Sequence, residues 1–287
     1  MQQIEDRFNK RARYPWTFLS DQSFSQDFRA RTSAMTDSPT VFDVIPAEHW
    51  GPPAWINSTR AEQVRENMKL LRIPQGDSIR FRNLSRFNAG FLAKQEILRS
   101  RRPGAQYFCD FLEDPFQVMR DEGKIYAFNL APFEMDQTVS TLWETVYDFI
   151  QEHNLHLHTG SNLARFVTKD DSYTLCYYDN NFEVVDMDFL RSSTYSTFFD
   201  YLDKKGGIFY ERWGSGPILS IALSLFLPKE KLSFQQNIGY RFGDMQHCPN
   251  GNAYTTGRCA CDPKDNFGES CPLLVITVIH KRRITRF

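Results

Sequence analysis

A chain of 287 residues, 41% of them hydrophobic, is long enough to bury a sizeable core, as one large α/β unit or two smaller ones. Its 34 basic and 35 acidic side chains nearly cancel, so no single-sign field points to nucleic acid, and no basic stripe interleaves with aromatics. The aromatic share is high, with 25 Phe and 12 Tyr, which supplies a Phe-rich core and leaves rings for stacking on sugar faces.

The chain opens on helix or loop, and the run Tyr14-Pro15-Trp16-Thr17-Phe18-Leu19 reads as a strand. A nucleotide-binding α/β domain normally begins with a strand whose turn meets the phosphates, and that N-terminal strand reads as missing. Residues 60–72 have helical period, with Ala61, Val64, Met68 and Leu71 on one face and a capping box at Thr59-x-x-Glu62. Residues 124–130 (KIYAFNL) predict a buried strand. Residues 139–150 return to helical period with Val139, Leu142, Trp143, Val146, Phe149 and Ile150 inward. A second such helix covers 191–205 and ends at Gly206-Gly207, where a left-handed residue costs little. Pro217 suits a first helical turn, and 218–227 is apolar nearly all round, hence deeply buried. Neither an internal repeat nor a low-complexity linker divides the chain. Helices alternating with short apolar runs predict an α/β fold, a central mixed sheet covered by helices in one domain over residues 1–287.

Cys109 and Cys176 stand alone in sequence, while Cys248, Cys259, Cys261 and Cys271 crowd near the C-terminus. Disulfides holding a loop-rich segment fit this even count; structural zinc is the rival reading, but Cys259-Ala260-Cys261 is not the usual zinc spacing. Asn57-Ser58-Thr59 and Asn83-Leu84-Ser85 are glycosylation acceptor patterns, consistent with a secretory compartment. The apolar runs 218–227 and 273–279 are too short to cross a bilayer. His153-Asn154-Leu155-His156-Leu157-His158 reads as a solvated loop beyond a helix rather than a metal site. The basic stretch His280-Lys281-Arg282-Arg283 carries no specific signal. There is no Gly-rich phosphate loop, zinc-protease helix or serine nucleophile motif.

The densest landmarks are aromatic. They run Tyr14-Pro15-Trp16, Ile45-Pro46-x-Glu48-His49-Trp50, Pro53-x-Trp55-Ile56-Asn57, Arg86-Phe87-Asn88-x-Gly90-Phe91 and Phe108-Cys109-Asp110. Thr141-Leu142-Trp143, Asn181-Phe182-Glu183 and Gly207-x-Phe209-Tyr210-Glu211-Arg212-Trp213-Gly214 follow. In order and spacing this series resembles the fungal α-1,2-mannosyltransferases of glycosyltransferase family 15, over residues 4–263, with a divergent tail at 264–287. The resemblance implies a GT-A-like fold and a retaining transfer of mannose from GDP-mannose to mannosides of N- or O-linked glycans or glycolipids. It also implies a divalent metal, usually Mn2+, and a type II membrane protein of the Golgi lumen whose N-terminal anchor is absent from this chain.

On that resemblance Glu183 matches the acid that serves as nucleophile or transition-state support, since positive charge develops at the anomeric carbon. Arg86, Asn88, Asn181, Arg212 and Trp213 match positions that shape the donor and acceptor cleft. Packing or a buried ion pair explains the arginines and the tryptophan equally well.

Several expected chemical groups are changed. Arg102 stands before Pro103 where a metal-binding Glu is expected, in a shortened tract, and a guanidinium has no lone pair to offer Mn2+. Phe242 occupies the place of a second ligand, a His, and His247 would serve only if the loop re-registered. Ser215 replaces an Asp, and Phe81 replaces a Tyr that reaches the donor. Arg101 and Arg102 offer positive charge to a diphosphate in place of metal. The main reading is therefore a mannosyltransferase, and the alternative is a non-catalytic paralogue that keeps the scaffold to bind glycans or a partner.

Overall fold

Helical turns come first: Gln2–Ile4 and Lys10–Ala12 are joined by a π-helical stretch, Glu5–Asn9. The computed structural model describes residues 1–92, 104–155, 168–169, 172–267 and 271. Strand β1 (Trp16–Ser20) follows, as the aromatic run predicts, and pairs in parallel with β2 (Thr40–Val44). Phe18 lies opposite Phe42 with ring centroids 5.0 Å apart, one of the cross-strand aromatic contacts that hold short strands together.

The predicted helix at 60–72 is α1, Ser58–Leu70. Its cap is not Thr59 but Asn57, whose side-chain oxygen accepts from Arg60 N at 2.9 Å. Both residues are good caps, and the extended backbone of Asn57 decides between them. Ala61 and Met68 are buried as expected, whereas Leu71 is 70% exposed because the helix ends at Leu70 and carries its side chain off the inward face. Helix α2, Ile79–Arg86, is capped by Ser78 and runs on into a π-helical turn, Phe87–Phe91.

Among the strands that follow are β3 (Gln106–Tyr107), β4 (Tyr126–Phe128), β5 (Glu183–Val185), β6 (Leu232–Phe234) and β7 (Tyr240–Phe242). With β8 (Met245–His247) they make two three-stranded sheets, ordered β8-β7-β3 and β5-β4-β6. In the latter β4 runs antiparallel to β5 and parallel to β6, the mixed arrangement expected of the central sheet. All three β4 residues are fully buried. Tyr126 and Phe128 face one large apolar cluster, and Ala127 and Val184 face a second that holds Phe182, Tyr107 and Tyr240. A strand buried on both sides explains why KIYAFNL lacks polar alternation.

The large cluster is closed by α3 (Leu142–Glu152), α4 (Ser193–Lys205) and α5 (Ser215–Phe226). Leu142, Val146, Phe149 and Ile150 of α3 point inward as predicted; Val139 is buried but precedes the helix, and Trp143 is only half-buried. Helix α4 stops at Gly206, which takes the left-handed conformation (φ +78). Helix α5 is buried along its first ten residues, with Pro217 in its first turn.

All six cysteines are paired: Cys109 with Cys259, Cys176 with Cys271, and Cys248 with Cys261. The disulfides expected from the even count are present, and Cys109 and Cys176, isolated in sequence, find their partners 150 and 95 residues away. Zinc is excluded as the role of these thiols, because a disulfide sulfur is no thiolate ligand. Replacing Cys109 and Cys259 together by alanine should lower unfolding stability by about 2–4 kcal/mol in urea titrations of the oxidised protein. An unchanged midpoint would show that the bond does not tie the C-terminal segment to the sheet.

Candidate functional site

Glu183 opens β5 directly opposite Phe128 of β4, so the register turns its side chain toward the aromatic cluster. Tyr126, on the same face of β4, donates its hydroxyl to Glu183 Oε2 at 2.9 Å. Glu183 is 5% exposed. A carboxylate removed this far from water keeps its charge only with such donors, and a phenol hydroxyl is one of the few an aromatic wall provides.

The loop leading into β5 is polar and also buried. Asn181 donates to Asp179 Oδ1 at 2.6 Å, and Asn180 donates to Ser215 Oγ at 2.8 Å. Ser215 is the first residue of α5, so the position where an Asp was expected ties this loop to the helix start instead. Backbone bonds from Asp179 N to Leu130 O and from Tyr177 N to Pro132 O continue the β4–β5 pairing as an irregular ribbon.

Arg212 reaches into the same neighbourhood. Its Nη2 donates to Glu134 Oε1 at 2.8 Å, and its guanidinium lies 4.9 Å from the ring centre of Phe81. The pair is buried, and the Arg212 Nε is enclosed without an acceptor. Phe81, which lacks the hydroxyl of the expected Tyr, thus offers Arg212 a ring face instead. Trp213 is 1% exposed and donates its indole N–H to Glu211 Oε2 at 2.7 Å. Its ring lies under Gly207, where a Cβ would sit 2.1 Å from it, so the double glycine serves close packing as well as the turn. The structure therefore places Trp213 as a buried support, with no ring face open to a sugar.

Arg86 is likewise committed. Nε and Nη2 grip the Asp203 carboxylate at 2.9 and 2.8 Å, Nη1 donates to Gly51 O at 3.3 Å, and the guanidinium lies over Phe91. Asn88 is half-buried in the π-helical turn just beyond it. Arg82 is wholly buried in a cage of carbonyls from Gly76, Ser78 and Glu211. Burial, with the neighbouring charges of Arg65 and Arg212, pushes its pKa down to about 10, so it is still a cation at neutral pH.

Residues 1–272 match the family described as Glycolipid 2-alpha-mannosyltransferase. The chain belongs to that family. It is 39% identical over 280 residues to Glycolipid 2-alpha-mannosyltransferase 2 of Candida albicans, which covers 93% of this chain and 60% of the relative. It is also 39% identical over 304 residues to Probable mannosyltransferase KTR2 of Saccharomyces cerevisiae, covering 98% of this chain and 71% of the relative. Thus the chain spans about three fifths of the length of the Candida relative. Among solved structures, core-mannan synthase A of Aspergillus fumigatus in its Mn/GDP form superposes with a TM-score of 0.88 at 29% identity, covering 97% of this chain and 80% of that one. The mannosyltransferase Ktr4p of S. cerevisiae in complex with GDP gives 0.89 at 30% identity, covering 96% and 76%. The family and the GT-A-like α/β fold expected from the motifs are therefore both established.

Among the described residues the one close grouping of three or more potential metal ligands is Cys109, Cys259 and Cys261, all consumed in disulfides. Phe242 lies on β7 and packs against the second apolar cluster. His247 has not re-registered to replace a ligand: it is buried on β8, and its Nε2–H donates to Gln236 O at 2.9 Å. Burial lowers its pKa despite that bond, which marks a neutral structural imidazole. Arg101, Arg102, His156, His158 and the basic stretch from His280 lie outside the described residues.

Tyr126, Glu134, Asp179, Asn180 and Asp203 were not legible as site residues, because each acquires its role from a partner far along the chain or in a loop. If Arg86 is held as firmly as its geometry indicates, Asp203→Asn should cost about 3–5 kcal/mol in chemical denaturation, since it leaves a buried guanidinium unbalanced. Unchanged stability would mean that Arg86 has charge to spare for a ligand.

Proposed function

We propose that this chain transfers mannose from GDP-mannose to a mannoside of an N- or O-linked glycan or a glycolipid, forming an α-1,2 bond with retention of configuration. The observation that supports this reading most is the family match over residues 1–272, joined to a fold that agrees at a TM-score of 0.88 with a Mn/GDP-form synthase. The setting we infer is the lumen of the Golgi or secretory pathway, in keeping with three disulfides. Among the described residues no helix is long and apolar enough to cross a membrane.

The roles we assign follow from the family resemblance, with the contacts of each side chain beside it. Glu183 supports the positive charge that develops at the anomeric carbon when the bond to the diphosphate breaks. Tyr126 fixes the direction of that carboxylate. Asn181, two residues before Glu183 and bonded to Asp179, and Asn88, half-buried on the helical turn after α2, are assigned as polar contacts for substrate on the family resemblance. Arg212 is already balanced by Glu134 and its Nε is enclosed, so we assign it to shaping the wall of the cleft rather than to meeting the diphosphate charge. Arg86 and Trp213 act at one remove by holding the walls in place. Manganese would supply charge to the departing diphosphate, as the family leads one to expect. Arg102 and Phe242 stand where the resemblance places its ligands.

With GDP-mannose, Mn2+ and methyl α-mannoside, the folded protein should form an α-1,2-linked disaccharide. Glu183→Gln should slow turnover roughly 100- to 1,000-fold or more while GDP binding and the thermal transition are kept. A folded wild-type protein without turnover, or a Glu183→Gln variant of unchanged rate, would defeat the assignment.

A further inference from the structure

Two Asn-x-Ser/Thr patterns occur in the described structure, and the fold treats them oppositely. Asn83 lies inside α2 and is only 9% exposed, so an attached sugar there would have to occupy space already filled by protein. A molecule glycosylated at Asn83 during synthesis could not close α2 onto its neighbours. Asn57 is exposed, and so is Thr59 two residues on. The backbone of Asn57 is extended (φ −69, ψ 109) at the mouth of α1, preceded by the turn that Ile56 N closes on Pro53 O.

The cap itself leaves the acceptor atom available. Asn57 uses Oδ1 to accept from Arg60 N and its backbone N–H to donate to Tyr210 Oη at 2.7 Å. Neither bond engages Nδ2, the atom that a glycan would occupy. A sugar on Nδ2 can therefore coexist with the helix cap. Trp55, two residues ahead, is 53% exposed and anchored through its indole N–H to Asp203 O at 3.1 Å. It offers the first sugar of such a chain a fixed apolar surface. The three disulfides point independently to the oxidising compartment in which the glycosyl donor for asparagine is found.

We propose that Asn57 is an N-glycosylation site of this protein and that Asn83 is not. In the reaction Nδ2 forms a bond to C1 of a lipid-diphosphate-linked oligosaccharide. The C1–O bond to the diphosphate breaks, the lipid diphosphate departs with the bonding electrons, and the amide loses one proton. The site belongs to the protein as a substrate of the glycosylation machinery, and it stands or falls separately from its own transferase activity.

The test is to express the full chain behind a secretion signal in a eukaryotic cell and to read glycan occupancy in total cell protein by gel mobility before and after glycosidase treatment. Peptide mass spectrometry in heavy-oxygen water then locates the site. We expect one glycan, on Asn57. Asn57→Asp should abolish it without disturbing the fold, because Asp caps a helix as well as Asn. Thr59→Ala should abolish it with the cap intact, Thr59→Ser should retain it, and Asn83→Asp should leave the pattern unchanged. A bare Asn57 in the wild-type chain, a mobility shift that survives Asn57→Asp or Thr59→Ala, or a glycan on Asn83 would each overturn the proposal.

Discussion

The pairing of Phe128 with Glu183 is the constraint on which the candidate site depends. A strand alternates its faces, so a slip of one residue between β4 and β5 would turn Glu183 toward the second apolar cluster and bring Val184 or Phe182 into its place. The bond from the Tyr126 hydroxyl to the Glu183 carboxyl would then break in a buried setting, at a cost above that of a shifted apolar contact. The polar bond therefore acts as a register lock within an otherwise aromatic wall. The parallel neighbour β6 reinforces it, since Phe234 stands beside Phe128 with ring centroids 5.6 Å apart.

Around that lock the fold carries buried cations in numbers that a simple core would avoid. Each is held by a different device. Arg86 is matched by the Asp203 carboxylate, Arg212 by Glu134 and the Phe81 ring, and Arg82 by carbonyl oxygens and the Met68 sulfur. Arg82 and Arg212 also repel each other, which contributes to the lowered pKa of Arg82. Such arrangements seldom maximise stability, because charges give up hydration that their partners only partly restore. What they do provide is direction: each guanidinium joins segments far apart in sequence, α2 to α4 in one case and the 134 region to the Arg-Trp-Gly turn in another.

Local pattern made the elements legible, and long range made the site illegible. The continuous apolar runs at β4 and α5 and the double glycine after α4 could each be read from a dozen residues, because burial and backbone conformation are set there by local composition. Helix ends were less secure. Asn57 and Thr59 are both competent caps, and only the turn before the helix selects the first. Cys109 and Cys176 gave no local sign of their partners. Glu183 was singled out by motif, but that Tyr126 holds it, that Glu134 balances Arg212 and that Asp203 occupies Arg86 are facts of tertiary contact across 57, 78 and 117 residues.

The described side chains that stand where the family resemblance leads one to expect other groups are each held by local contacts. Removing a carboxylate or imidazole from a polar cleft would ordinarily leave its former partners unsatisfied and the fold weakened. Here Ser215 takes the Asn180 amide, Phe81 takes the face of Arg212, and Phe242 lies against an apolar cluster that also holds Tyr107 and Tyr240. His247 is bonded to Gln236 rather than left seeking a cation. Each of these four side chains has a partner suited to its own chemistry.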